Sequence, residues 1–193
     1  MKIPLFPLNT VLYPEGPLPL RIFEPRYLDM ISSCLKDDAP FGVVQIRRGS
    51  ETGASESASV GTLARICDWY QGSDGILGVT AVGGERFSVL SQDREANGLQ
   101  TGDVELLPAD EAVPLPAEFQ SLVPILDGVL DDLGRLYEDL PRRNDDAAWV
   151  GFRFAEILPI DPERKQACLE LTDPIRRLQL ISEVLDDVRG VAT

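Results

Sequence analysis

The sequence predicts an α+β fold in which a strand-rich first half is followed by a helical second half. Three observations carry this reading. In residues 1–107 the apolar side chains come in short, often alternating runs bounded by Gly, Asp, Ser and Pro, as half-buried strands require. From residue 117 onward they recur at spacings of three and four, the period of helices that bury one face. Between them lies the proline-rich stretch 108–116, which reads as a linker joining a β domain (1–107) to a helical domain (117–193).

Ile3–Leu8 is an apolar run broken by prolines, which suits an edge or entry strand. Leu18–Phe23 follows the turn cluster Pro14-Glu15-Gly16-Pro17, with Leu20, Ile22 and Phe23 as core candidates. Leu28, Ile31 and Leu35 predict one inserted helix over Pro25–Lys36, with Pro25 in its first turn and Glu24 able to cap it. Further strands are expected at Phe41–Arg48, Gly61–Asp68, Ile76–Val82, Arg86–Leu90 and Val104–Leu107. Gly83-Gly84 falls between two of these runs and predicts a tight hairpin, because glycine takes positive φ at little cost. Short strands so spaced predict a small β-barrel or a strongly curled sheet. Gly49–Ser59, without a large apolar residue, reads as an exposed, mobile loop.

In the second half Phe119, Leu122, Leu126, Val129, Leu133, Leu136 and Leu140 predict a helical segment over 117–140, with a late start or a kink at Pro124. A second helix is expected over Asp146–Leu158, stopped by Pro159. Asp161-Pro162 and Asp173-Pro174 each place an N-cap carboxylate before a first-turn proline. The last helix turns Leu178, Ile181, Leu185 and Val188 inward and is expected to end at Gly190.

Composition excludes more than it selects. The 193 residues carry a formal net charge of −14, divided as −5 over 1–107 and −9 over 108–193, so neither half offers the positive surface that nucleic acid or an anionic membrane needs. No apolar window reaches the length of a membrane span and no signal peptide opens the chain, which predicts a cytoplasmic protein. Cys34, Cys67 and Cys168 make no disulfide framework and read as buried free thiols. The sequence has no histidine, which removes the commonest general base and metal ligand together. It has no P-loop, only three lysines, and acidic pairs such as Asp131-Asp132 whose neighbours diverge on a helix. Neither catalysis nor a metal or cofactor site is therefore expected.

Residues 3–30, IPLFPLNTVLYPEGPLPLRIFEPRYLDM, are more specific. With Phe41-Gly42-Val43-Val44, Val60-Gly61-Thr62-Leu63-Ala64, Gly84-Glu85-Arg86-Phe87, Ala155-Glu156-Ile157-Leu158-Pro159 and Lys165-Gln166-Ala167-Cys168-Leu169-Glu170-Leu171, they resemble the Lon N-terminal, or substrate-binding, domain family over nearly the whole chain. The resemblance implies a PUA-like β-barrel followed by a helical bundle, and a role in selecting and holding polypeptides. The chain stops at Thr193, so a stand-alone bacterial member without ATPase or protease domain is expected.

The expected function is a recognition module for polypeptide segments or a partner protein, with a small-molecule-binding regulatory module as the alternative. Candidate binding residues are Phe6 and Tyr13 near the N-terminus, Arg26 and Tyr27 in the LRIFEPRY motif, and Trp69-Tyr70 beside the glycine-rich turn Gly72–Gly78. Each also has a structural reading: aromatic residues fill cores, Arg21 and Arg26 can pair with carboxylates, and Trp69-Tyr70 can be an ordinary strand end. An open strand edge could instead receive an extended peptide through main-chain bonds, which leaves no side-chain signature.

Overall fold

The computed structural model describes residues 1–51 and 55–191, with side chains through residue 185 except that of residue 55. The chain divides into two compact units, Met1–Pro108 and Ala109–Thr193.

The first unit holds strands β1 (Lys2–Leu8), β2 (Pro17–Ile22), β3 (Phe41–Gly49), β4 (Ser55–Gln71), β5 (Leu77–Arg94) and β6 (Gln100–Leu106), with helix α1 (Pro25–Asp37) between β2 and β3. They form one sheet in the order β2-β5-β4-β3-β1-β6. The second half of β5 also pairs with β6, Phe87 opposite Leu106 and Arg94 opposite Gln100, so the pairings of β1, β3, β4, β5 and β6 return on themselves. Among the described strands only the β1–β3 pair is parallel. Ile3, Leu5, Val44, Leu63, Phe87 and Val104, all from strands of this circuit, pack together. A larger cluster joins β1, β2, β3 and β5 to α1 through Phe6, Leu20, Phe41, Val79, Tyr27 and Ile31, among others.

Several expectations need correction. Gly83-Gly84 is not a hairpin: both glycines lie within the continuous strand β5, and neither has positive φ. A Cβ on Gly83 would lie 2.0 Å from the Tyr13 carbonyl oxygen, so this glycine admits a close backbone approach rather than a turn. The reversal comes earlier, where Gly72 N–H donates to the Ile76 carbonyl (2.9 Å) and Gly75 takes φ of 80°. The Gly49–Ser59 loop is shorter than expected, since β4 begins at Ser55 and Ala58 is buried; residues 52–54 lie outside the described residues. On α1 the buried stripe is Tyr27, Met30, Ile31 and Cys34, whereas Leu28 and Leu35 are exposed. Glu24 stands at the N-cap without a side-chain cap bond. Cys67 is exposed, unlike Cys34 and Cys168.

The second unit contains helices α2 (Val123–Asp132), α3 (Ala147–Ile157), α4 (Pro162–Glu170) and α5 (Pro174–Val191). Pro124 sits in the first turn of α2, after a 3-10 turn over Ala117–Leu122, which is the late start its fixed φ allows. Asp146, Asp161 and Asp173 each accept a backbone N–H of the following helix at 2.9 Å. Leu133 and Leu136 are exposed, and Leu130 and Tyr137 take the inward positions instead. α5 runs past Gly190, and Val188 lies outside the described side chains. The 109–116 segment is packed, not a free linker: Leu115 N–H bonds the Asp145 carbonyl (2.7 Å), and Asp110 pairs with the fully buried Arg177 at 2.8 Å. Arg177 also donates to the Cys168 carbonyl (2.8 Å) and lies 3.7 Å over the Phe152 ring, which ties α5 to α4 and α3.

Candidate functional site

At one end of the first unit's sheet, β2 finishes beside the start of β5, which lies beside the end of β4. The register sets Arg21 opposite Gly78 and Gly78 opposite Tyr70, and the next position sets Ile22, Leu77 and Gln71 in line. Strictly alternating burial in β2 turns Leu18, Leu20 and Ile22 inward, so Phe23 continues the outward set with Pro19 and Arg21. The result is an aromatic end to the sheet, with Phe23 62% exposed, Trp69 59% and Tyr70 57%. Tyr70 lies so closely over Gly78 that a Cβ there would meet its ring at 2.3 Å. Arg21 pairs with Asp74 in the adjoining turn. The Asp74 carboxyl is held below its ordinary range, first by the Ile76 backbone N–H and also by Arg21.

Main-chain groups are also available here. Beyond Ala64, β4 pairs only with β5 among the described strands, so the other edge of Arg65–Gln71 is open. The Trp69 N–H is bonded to the Asp68 carboxylate at 2.8 Å rather than to a neighbouring strand. The free edge of β2 is less receptive, because Pro17 and Pro19 lack the N–H that an added strand would use.

Beside Phe23 a cavity of about 150 Å³ opens between β2 and the start of α1, with Phe6, Leu20, Phe23, Glu24 and Tyr27 in its wall. That is about the size that accepts one benzene-like group. Phe6 and Tyr27 stack with centroids 4.0 Å apart and form its apolar side. Burial pushes the Tyr27 phenol above its ordinary value, so the socket stays uncharged on that side. Arg26 forms a clamp behind it: its Nε donates to Glu24 (3.0 Å), Nη1 to the Gly98 carbonyl (3.0 Å) and Nη2 to the Glu51 carbonyl (2.9 Å). Three segments distant in sequence are thereby fixed around the Arg26 guanidinium, whose carbon also lies 4.5 Å from the Tyr27 ring.

The sequence model of the ATP-dependent protease La (LON) substrate-binding domain matches residues 2–187. The chain belongs to this family. The Lon substrate-binding fold is matched by a crystal structure of a Lon N-terminal domain protein from Xanthomonas campestris, 35% identical, with a TM-score of 0.79 over 95% of this chain and 98% of that one. The N-terminal domain of Lon protease from the Mycobacterium avium complex shares the fold at 16% identity, with a TM-score of 0.66 over 95% of this chain and 97% of that one. Among curated relatives, Lon protease 2 of Myxococcus xanthus is 28% identical over 98% of this chain, and protein cereblon of Xenopus tropicalis is 30% identical over 60% of it. The chain spans about a quarter of the length of each, 24% and 26% respectively.

In this Lon-family chain the sequence candidates separate by position. Trp69 and Tyr70 are both exposed at the end of β4, on opposite faces of the sheet, whereas Phe6 and Tyr27 meet in the socket wall with little exposed area. Arg26 stands behind the socket, all three of its guanidinium nitrogens bonded to the protein. Tyr13 is fully buried, with its carbonyl accepting Gly16 N–H at 3.0 Å, and is not part of the surface. The residue that sequence reasoning missed is Phe23, placed in the core because it is apolar. The alternation of Leu18, Leu20 and Ile22 was the signal that it faces outward. Among the described residues no group of three or more Cys, Asp or Glu side chains is arranged to hold a metal ion.

Proposed function

We propose that this chain is a non-catalytic, cytoplasmic recognition module that binds extended apolar polypeptide segments at the aromatic end of its sheet. In this reading the closed pairing of the first unit is a PUA-like barrel and the second unit is a helical bundle. One observation carries the function: Phe23, Trp69 and Tyr70, each more than half exposed, share one sheet end beside a socket sized for a single side chain. The bound segment sets one apolar side chain into the socket, and its main chain follows the open edge of β4 at Arg65–Gln71. Membership of a substrate-binding domain family supports the reading. The net charge of −14 opposes nucleic acid as the partner.

Trp69 provides the test, because it is 59% exposed whereas Trp149 is 3% exposed and shielded from contact. Titration with a permanently unfolded model protein is expected to shift Trp69 emission to shorter wavelength in a saturable manner, and Phe23→Ala is expected to weaken binding about tenfold. Absence of a saturable shift up to roughly millimolar chain refutes the proposal.

A further inference from the structure

Further along α1 lies a second concavity. It is a cleft of about 470 Å³, bounded by the later turns of α1, the first residues of β1, and the β5–β6 turn with the start of β6. Its apolar part comes from Ile3, Pro4, Met30 and Leu99. Its rim carries three exposed carboxylates, Asp29 and Asp37 from α1 and Glu95 from the turn. None of the three has an ion-pair partner among the described residues. The cleft's cation, Lys2, is paired with Asp93 at 3.5 Å. Asp37 is also the last residue of α1, where unsatisfied helix carbonyls add negative potential. Among the charged residues lining the cleft, three unpaired carboxylates face one cation that is already paired, so the chemistry that fits is cationic, with an apolar stem for the floor.

We infer that this cleft is a second subsite of the polypeptide-recognition surface, one that takes a Lys or Arg side chain flanked by apolar residues. The inference rests on the function proposed above and specifies it: the cation meets Asp29, Asp37 and Glu95, and its aliphatic stem lies on Met30 and Leu99. Charge complementarity selects a basic segment and excludes an acidic one.

The test uses the full chain and three fluorescently labelled peptides of about a dozen residues that alternate Leu with Lys, Gln or Glu. Anisotropy at low salt is expected to rank Lys over Gln by about tenfold and Gln over Glu by a further severalfold, with the preference largely screened at about 0.5 M salt. The combined Asp29→Asn, Asp37→Asn, Glu95→Gln variant is expected to reduce the Lys-over-Gln preference to below about threefold. A control that neutralises Glu111, Glu138 and Glu163, exposed carboxylates outside the cleft, is expected to keep it. Equal loss of preference in cleft variant and control assigns the effect to diffuse charge and overturns the subsite. If the Gln peptide binds through Phe23 while the cleft variant changes nothing, the subsite falls and the recognition function stands. If none of the three peptides binds the unaltered chain, both fall.

Discussion

Two adjacent glycines in β5 give a sharp test of the packing. A Cβ at Gly83 would sit 2.0 Å from the Tyr13 carbonyl oxygen, about 1.4 Å inside the 3.4 Å at which ordinary contact begins. The obstacle is backbone, so it cannot swing away. It belongs to a turn held on several sides: Gly83 N–H donates to the Gly16 carbonyl (2.9 Å), Glu15 N–H to the Gly83 carbonyl (2.7 Å), and Thr62 Oγ1 to the Leu12 carbonyl (2.6 Å). Gly83→Ala must push this turn outward, weakening two backbone bonds at about 0.5–1.5 kcal/mol each and overpacking the site at about 1–3 kcal/mol. Because these effects overlap, the expected loss is about 2–4 kcal/mol. At Gly84 the nearest atoms to an added Cβ lie at 3.7 Å, ordinary contact, and φ is not positive. Gly84→Ala is therefore expected to be neutral, or to stabilise by about 0.4–1 kcal/mol through the unfolded chain. Hydrogen exchange read by mass spectrometry on the slowest β4 and β5 amides reports the first unit's opening. Gly83→Ala is expected to speed their exchange about 30- to 700-fold, and Gly84→Ala not at all. Equal effects at the two positions would refute the close-approach account.

Arg26→Ala is expected to destabilise the first unit by about 2–4 kcal/mol in urea unfolding, and Arg26→Lys to recover little, because one ammonium cannot reach Glu24, Gly98 and Glu51 with the geometry of a guanidinium. Titration of the native protein with a thiol reagent should find one reactive cysteine, Cys67, whereas urea releases all three; burial raises the Cys67 pKa, so reaction accelerates in alkaline buffer. Burial raises the Glu156 carboxyl above its ordinary 4.5, against the opposing pull of Arg153. Protons are thus held more tightly in the folded state, and this group's stabilising contribution, complete below about pH 4.5, declines as pH rises through the raised value. Glu156→Gln should flatten that decline in urea midpoints followed by Trp149 fluorescence.

The features legible in the sequence were those set by neighbours in the chain. Asp161-Pro162 and Asp173-Pro174 announce helix starts because cap and proline act within a few residues. What escaped depended on distant partners. Gly83 next to Gly84 reads locally as a turn, since nothing nearby reveals that Tyr13 will press against it. On α1, Leu28 with Leu35 and Tyr27 with Met30, Ile31 and Cys34 all fit helical spacing, and only the sheet decides which stripe is covered. The packing of 109–116 depends on Arg177, an arginine buried more than sixty residues away, and composition alone made that segment look like a tether. At the candidate site Trp69 and Tyr70 were visible as an aromatic pair beside a turn. The socket was not, because its walls come from β1, β2 and α1.

The pairing of β1 with β6 bears on how the chain is made. Leu5 stands opposite Gln100, so β1 finds this neighbour only after almost the entire first unit has been translated. Ribosomes add about 5–20 residues each second, which leaves β1 waiting for seconds with Ile3, Leu5 and Phe6 uncovered. Its other neighbour, β3, emerges midway and pairs in parallel, the less favourable geometry, so it offers a provisional shelter at best. Folding of this unit is therefore expected to be slow and late, with a nascent intermediate that itself exposes extended apolar chain.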